Sequence, residues 1–199
     1  METVYFDSIY RNSPIDMLKN IHALLDQTDV VIHYNGQSFD IPTLNKEFLT
    51  LGFNPPSPYK QIDLIRTARS QFRFTSNKLD YICQRLGLGK KTDTSFQLWI
   101  DCMNKDPTAW RQMEEYNRND VIMLENLYNK LLPWIKHHPN QNLYSDQELI
   151  CPTCGGLHHQ RRGLAYTTTC TYQRFQCKEC GSWFRERTNL TKKKRYVHV

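Results

Sequence analysis

Two Cys-x-x-Cys-Gly segments dictate what the C-terminal part of this chain can become. They are Cys151-Pro152-Thr153-Cys154-Gly155 and Cys177-Lys178-Glu179-Cys180-Gly181, with 22 residues (155–176) between the two inner cysteines. Each segment puts two thiols on one tight turn, and glycine supplies the next bend. Two such turns facing each other make a tetrahedral sulfur site, which suits structural zinc. Two disulfides, or thiols that merely recur, are the alternatives; the spacing and a reducing compartment favour zinc. The 49 residues from 151 to 199 have little core of their own, so a metal staple is physically sensible. His158 and His159 lie close by but not at knuckle spacing. Cys83, Cys102 and Cys170 are read as small buried hydrophobes.

Charge changes sharply just before the first knuckle. Residues 151–199 carry 10 Lys or Arg against 2 acids, while residues 1–150 carry 16 basic and 18 acidic side chains. The net charge of +6 on 199 residues therefore comes from the C-terminal part. The step, near residues 144–150, predicts two domains, 1–144 and 145–199. In the second, Arg161, Arg162, Arg174, Arg185, Arg187 and the run Lys192-Lys193-Lys194-Arg195 interleave with Tyr166, Tyr172, Phe175, Trp183 and Phe184. Cations bind phosphates and exposed aromatics stack on bases. A solvated surface over a small aromatic core is the competing reading. This part resembles a zinc ribbon, a fold that often holds nucleic acid or a protein partner. No apolar run approaches the ~18 residues of a membrane helix. No basic-then-apolar leader is found, and the thiols read as reduced. The expected setting is cytoplasmic, with a nucleoid or viral replication context compatible.

Residues 1–144 alternate strand-like and helix-like segments. Residues 3–6 are short and β-prone. Ser13-Pro14-Ile15-Asp16 starts a helix, with an N-cap, a first-turn proline and an acid three residues on. Val30-Val31-Ile32 is a short apolar run, as expected of a buried strand. Asn35-Gly36 marks a turn. A second helix begins near Asp40-Ile41-Pro42, with Leu44, Phe48 and Leu51 on one face and Gly52 as its stop. Residues 61–65 read as another strand. Residues 77–86 read as a helix capped by Ser76. Asp106-Pro107 opens the longest helix, with Trp110, Met113, Val121, Leu124, Tyr128 and Leu131 on or near one face and Pro133 as its limit. The pattern predicts an α/β domain with a partly parallel sheet.

Two acids stand out by position. Asp40 follows the turn after a buried strand, at the end where α/β folds place ligands. Asp120 lies inside the long helix, and Tyr116 one turn earlier shares its face. A helix cap and a solvated helix acid are the ordinary readings of these two.

The stretch His33-Tyr34-Asn35-Gly36-Gln37-Ser38-Phe39-Asp40-Ile41-Pro42 resembles the second motif of DnaQ-like 3′–5′ exonucleases. It is most similar to the branch related to proofreading domains of family B DNA polymerases. Tyr116-Asn117-Arg118-Asn119-Asp120 resembles that superfamily's third motif in its Tyr-x-x-x-Asp form. Residues 74–81 and 86–91 also resemble this branch, and the likeness covers about residues 13–138. It implies an α/β ribonuclease H-like exonuclease fold and two-metal phosphodiester hydrolysis with Mg²⁺ or Mn²⁺. By that resemblance Asp40 is a catalytic acid near metals and substrate, Asp120 ligates a divalent ion, and Tyr116 positions the attacking water. Asn35, Phe39 and Lys78 are the implied substrate-binding residues. DNA 3′ ends are the expected partner, and Cys151, Cys154, Cys177 and Cys180 the expected zinc ligands.

The family's first motif, Asp-x-Glu on its first strand, is missing before Asp40. The nearest candidate is Phe6-Asp7-Ser8-Ile9, with isoleucine at the Glu position. Residues 3–6 align better with the family's third strand. The expected domain is therefore incomplete at its N-terminus, lacks two strands, and leaves the strand at residues 30–32 with an open edge. Three readings follow. A second chain or an upstream segment supplies Asp-x-Glu; or the chain is an inactive nucleic-acid-binding protein using the basic ribbon; or Asp7 or Glu2 improvises the first motif. Residues 60–91 add eight basic residues against Asp63 and Asp80, either a phosphate track beside the cleft or a solvated face.

Overall fold

The computed structural model describes residues 4–147 and 149–191, which form two compact units, Met1–Lys130 and Leu131–Val199. The charge step at residues 144–150 falls inside the second unit. Among the described residues no helix is long and apolar enough to cross a membrane.

In the first unit, helix α1 (Pro14–Asp26) begins where Ser13 Oγ accepts the Asp16 amide at 3.1 Å. Strand β1 (Val30–His33) follows. It pairs in parallel with β2 (Lys60–Asp63), His33 lying opposite Asp63. Between them runs α2 (Asp40–Thr50), whose Phe48 is buried with Leu18 and Leu25 of α1. The expected face of α2 ends sooner than predicted: Leu51 is the exposed C-cap residue.

The strand expected at residues 61–65 stops at Asp63. The Asp63 carboxylate accepts the Ile65 amide at 3.2 Å and caps a new helix, α3 (Leu64–Gln71), which buries Leu64, Ile65 and Ala68. A local cap thus ends a segment that reads as strand. Helix α4 (Leu79–Arg85) is shorter than the predicted 77–86, and Lys78 occupies its N-cap position. Helix α5 (Phe96–Met103), not predicted, precedes α6 (Pro107–Leu131). Asp106 accepts the Thr108 amide at 2.8 Å and starts α6 as expected.

The buried stripe of α6 is Met123, Leu127 and Leu131. Val121, predicted to share the core face, is exposed, because α6 is apolar on two sides. Val121, Leu124 and Tyr128 instead line a groove of about 260 Å³ beside Ile32 of β1.

The strand expected at residues 3–6 does not form: residues 4–7 have no regular structure, and Arg11 and Asn12 amides fold back onto the Ser8 carbonyl at 3.0 Å. No described strand lies alongside to pair with it. Among the described residues β1 pairs only with β2, so its other edge is open.

In the second unit, β3 (His159–Tyr166), β4 (Thr171–Cys177) and β5 (Trp183–Arg185) form an antiparallel sheet in the order β3-β4-β5. Phe175 and Phe184 stack at 5.5 Å, and His159 packs edge-on to both. These three rings form the small core on one sheet face, so His159 belongs to packing.

Candidate functional site

The turn after β1 is held by contacts within the chain. Asn35 has φ 67°, a left-handed conformation, and its amide donates to Asp63 Oδ1 at 2.8 Å. A Cβ on Gly36 would lie 2.7 Å from His33 Cγ, so only glycine fits there. Ile41 N donates to the Gly36 carbonyl at 2.9 Å, which delivers the chain into α2 with Asp40 as its first residue. Asp40 and Phe39 are both exposed, Phe39 at 68 %. Asp63 therefore organises this turn from β2. Neighbouring residues gave no sign of that role, because the contact spans 28 positions.

The second acid has a different setting. Lys91 Nζ donates to Asp120 Oδ2 at 2.6 Å and to the Tyr116 hydroxyl at 3.1 Å. The carboxylate is only 24 % exposed, and its Oδ1 is buried with no hydrogen-bond partner. Trp99 packs edge-on to Tyr116 at 6.1 Å. Burial alone would lower the Lys91 ammonium's pKa, but the bonds to Asp120 and Tyr116 outweigh it and raise it above the usual lysine value. The Lys91 amide donates to Asp80 Oδ1 at 2.8 Å, and Asn119 Nδ2 donates to the Lys90 carbonyl at 3.1 Å. The loop carrying Lys91 is thus fixed both to α4 and to α6.

The helix spacing brings Tyr116 and Asp120 together as predicted, and Lys91 joins them from a segment read only as a basic run. No described hydrogen bond or ion pair joins Asp40, Asn35, Phe39 or Lys78 to Asp120. Lys78 is exposed, and its amide donates to Ser76 Oγ at 3.3 Å.

Asp7 is engaged elsewhere. It accepts from Ser8 N at 2.7 Å, Asn12 Nδ2 at 2.7 Å and Asn20 Nδ2 at 2.8 Å. The Asn20 bond comes first among the causes that hold its pKa below the usual carboxylate value. Asp7 is therefore built into a turn. Glu2 lies outside the described residues, as does the run Lys192 to Arg195.

The thiols converge fully. The sulfurs of Cys151, Cys154, Cys177 and Cys180 all lie within 4.8 Å of one another. Cys151 and Cys180 are 3.7 Å apart, and so are Cys154 and Cys177. Four sulfurs about 2.3 Å from a central ion define a tetrahedron with edges of about 3.8 Å. A disulfide needs about 2.05 Å, and all seven cysteines are free.

Backbone amides shape each knuckle: Gly156 N donates to Cys154 Sγ, and Glu179 N to Cys177 Sγ, both at 3.4 Å. Gly155 and Gly181 take φ of 74° and 81°, the left-handed bend predicted for both. Burial raises the Cys151 and Cys154 thiols above the ordinary range, so bare thiolates there require a cation. The cluster can hold a metal such as zinc. Cys83 and Cys102 are buried, as expected of small hydrophobes. Cys170 is not: it sits half-buried in the turn between β3 and β4, where Asn189 Nδ2 donates to its sulfur at 3.3 Å.

A divalent pair on the acidic side meets a different result. Among the described residues, the cysteines are the only group of three or more potential ligand residues gathered closely enough for one ion. The unpartnered Asp120 Oδ1 suits a cation, but the acids there do not complete a two-ion site.

A family model described as RNase_H superfamily matches residues 5–132. The chain belongs to this superfamily, whose members share an RNase H-like, nuclease-type domain that typically uses divalent metals. No curated protein matches the chain significantly.

Proposed function

We propose that the chain is a metal-dependent 3′–5′ exonuclease acting on nucleic acid, DNA by preference, with structural zinc on Cys151, Cys154, Cys177 and Cys180 in a zinc ribbon. The observation that carries the nuclease reading is the half-satisfied Asp120 carboxylate beside the Tyr116 hydroxyl, inside an RNase H superfamily domain. Asp40, at the mouth of α2, is the second acid of the site. Asn35, Phe39 and Lys78 are its substrate contacts, and the exposed Phe39 ring is available to a terminal base.

Asp40 and Asp120 alone offer too few carboxylates for two Mg²⁺ or Mn²⁺ ions. What the chain's own residues supply is an oriented phenol, an acid with one unpartnered oxygen, and an internal counter-cation. The remaining acids come with a strand that pairs with the open edge of β1 and covers the groove lined by Ile32, Val121, Leu124 and Tyr128. Its source is a second chain or an upstream segment.

A specific observation favours a second reading. Lys91 neutralises Asp120 within the chain, as in a catalytically inactive nucleic-acid-binding protein.

Degradation of a 5′-labelled single-stranded DNA by the zinc-loaded chain, with Mn²⁺ or Mg²⁺, separates the two. A ladder shortening from the 3′ end, reduced on the order of 10²–10³-fold in Asp120→Ala, supports the exonuclease. Binding without cleavage, persisting when peptides carrying an Asp-x-Glu strand are added, supports the inactive binder.

A further inference from the structure

The three-stranded sheet of the second unit has two unlike faces. His159, Phe175, Cys177 and Phe184 share one, which holds the ring core and one zinc-site cysteine. Cross-strand pairing puts Arg174 opposite Arg185, and Gln176 opposite Trp183, on the other. On that outer face Arg174 Cζ lies 5.0 Å, and Arg162 Cζ 5.9 Å, from the Trp183 ring centroid. Arg185 Cζ lies 3.7 Å from the centroid of Tyr172. Arg174 Nε also donates to the Arg162 carbonyl at 2.9 Å. Among the described residues none of the three arginines forms an ion pair.

Two like charges directly across strands are unfavourable, and three guanidinium groups on one face repel one another. The aromatic rings hold them in place all the same: Trp183 and Tyr172 are pedestals that fix the guanidinium planes. Their packing uses the π face and leaves N–H groups available for bidentate contact with phosphate oxygens. The side chains are thus ordered before a ligand arrives, which lowers the ordering cost of binding.

We infer that this outer face, Arg162, Arg174 and Arg185 mounted on Trp183 and Tyr172, is a track for the phosphate backbone of single-stranded nucleic acid. The inference rests on the reading of the chain as a nucleic-acid-directed protein and assigns the contact to one face of one sheet. Because the rings serve the arginines first, the track reads backbone charge and tolerates sequence.

The test is fluorescence anisotropy of labelled 15-nucleotide dT and rU strands across a salt series. It uses the full zinc-loaded chain in an Asp120→Ala background, without Mg²⁺ or Mn²⁺. Failure of the nuclease reading then leaves the result untouched. Arg162→Ala/Arg174→Ala/Arg185→Ala should lower the log–log salt slope by about 2, at about 0.7 for each phosphate no longer neutralised, and weaken binding at least tenfold at moderate salt. Zinc content and the far-UV spectrum should match the parent. Should the triple variant lose zinc, Arg174→Gln alone should still lower the slope by about 0.7. An unchanged slope in these variants overturns the assignment. So does displacement of the strands by a poly-glutamate peptide of equal charge at equal concentration, which would make the face a site for acidic protein.

Discussion

The cysteine site and the acidic site solve opposite charge problems. Four thiols crowd within 4.8 Å and no side-chain cation approaches them among the described contacts, so the balancing charge must come from outside. Asp120 carries its cation internally, because Lys91 reaches it from 29 residues away at 2.6 Å. The first site can hold a metal such as zinc; the second already carries a cation of its own. Soft thiols thus gather where an ion can sit between them, while the hard carboxylate is one that an ion must contest with Lys91.

The sharpest break in that comparison is metal removal. Chelating zinc, or making Cys151→Ser/Cys177→Ser, should unfold the β3–β5 sheet, since structural zinc supplies on the order of 10 kcal/mol to small sites of this kind. Metal analysis with amide NMR dispersion would check this. The helical signal of the first unit should persist. Survival of the sheet without metal would mean that the ring core of His159, Phe175 and Phe184 suffices.

Gly36→Ala is next in size. Its Cβ would meet His33 Cγ at 2.7 Å, and His33 is buried beside Asp63. Equilibrium urea unfolding should show a loss of about 2 kcal/mol, with the turn that carries Asp40 displaced. Stability equal to the parent would show that the ring simply rotates away.

Lys91→Met tests the contest directly. Both side chains of the pair are partly exposed, 32 % for Lys91 and 24 % for Asp120, so breaking it should cost about 1–2 kcal/mol without divalent ions. Mn²⁺ should then raise the melting temperature of Lys91→Met more than that of the parent, because no ammonium has to be displaced from Asp120. An equal response in both proteins would show that the lysine and the ion do not compete.

These effects differ in how far they could be read from sequence. The knuckles were legible because their ligands are local pairs on tight turns and spacing carries the geometry. The helix from Ser13 and the Tyr116–Asp120 pair were legible for the same reason, since caps and periodicity act over a few residues; the parallel sheet followed from strands alternating with helices. Two things were not. The segment 61–65 reads as one strand, yet Asp63 caps α3 and also holds the Asn35 amide, a contact set by the sheet. Lys91 sat in a row of basic residues, and nothing local separates the one that turns inward. A lysine just after a glycine-rich bend, following an acid able to hold its amide, was the sole hint.

That acid gives the smallest effect. Asp80 accepts the Lys91 amide at 2.8 Å and Gln84 Nε2 at 2.6 Å, and the Lys91 amide bond is the leading reason its pKa falls below 3.8. A carboxylate with a depressed folded pKa stabilises the fold fully above its unfolded value, and that contribution fades as pH falls through the folded pKa. Asp80→Asn removes the charge and keeps the shape. At neutral pH it should lower the melting temperature by about 1–2 °C, as expected for a half-buried group still screened by solvent. The gap between parent and variant should begin to narrow below about pH 4 and close only as the pH falls through the parent carboxyl's lowered folded pKa. If the gap persists in acid, the amide and not the charge holds the loop, and the position of Lys91 would be set by Asn119 on α6. If it closes, the cation at Asp120 is held in place by a second acid. The acidic site would then be a chain of charges internal to the protein, where the cysteine site is a cage awaiting an ion.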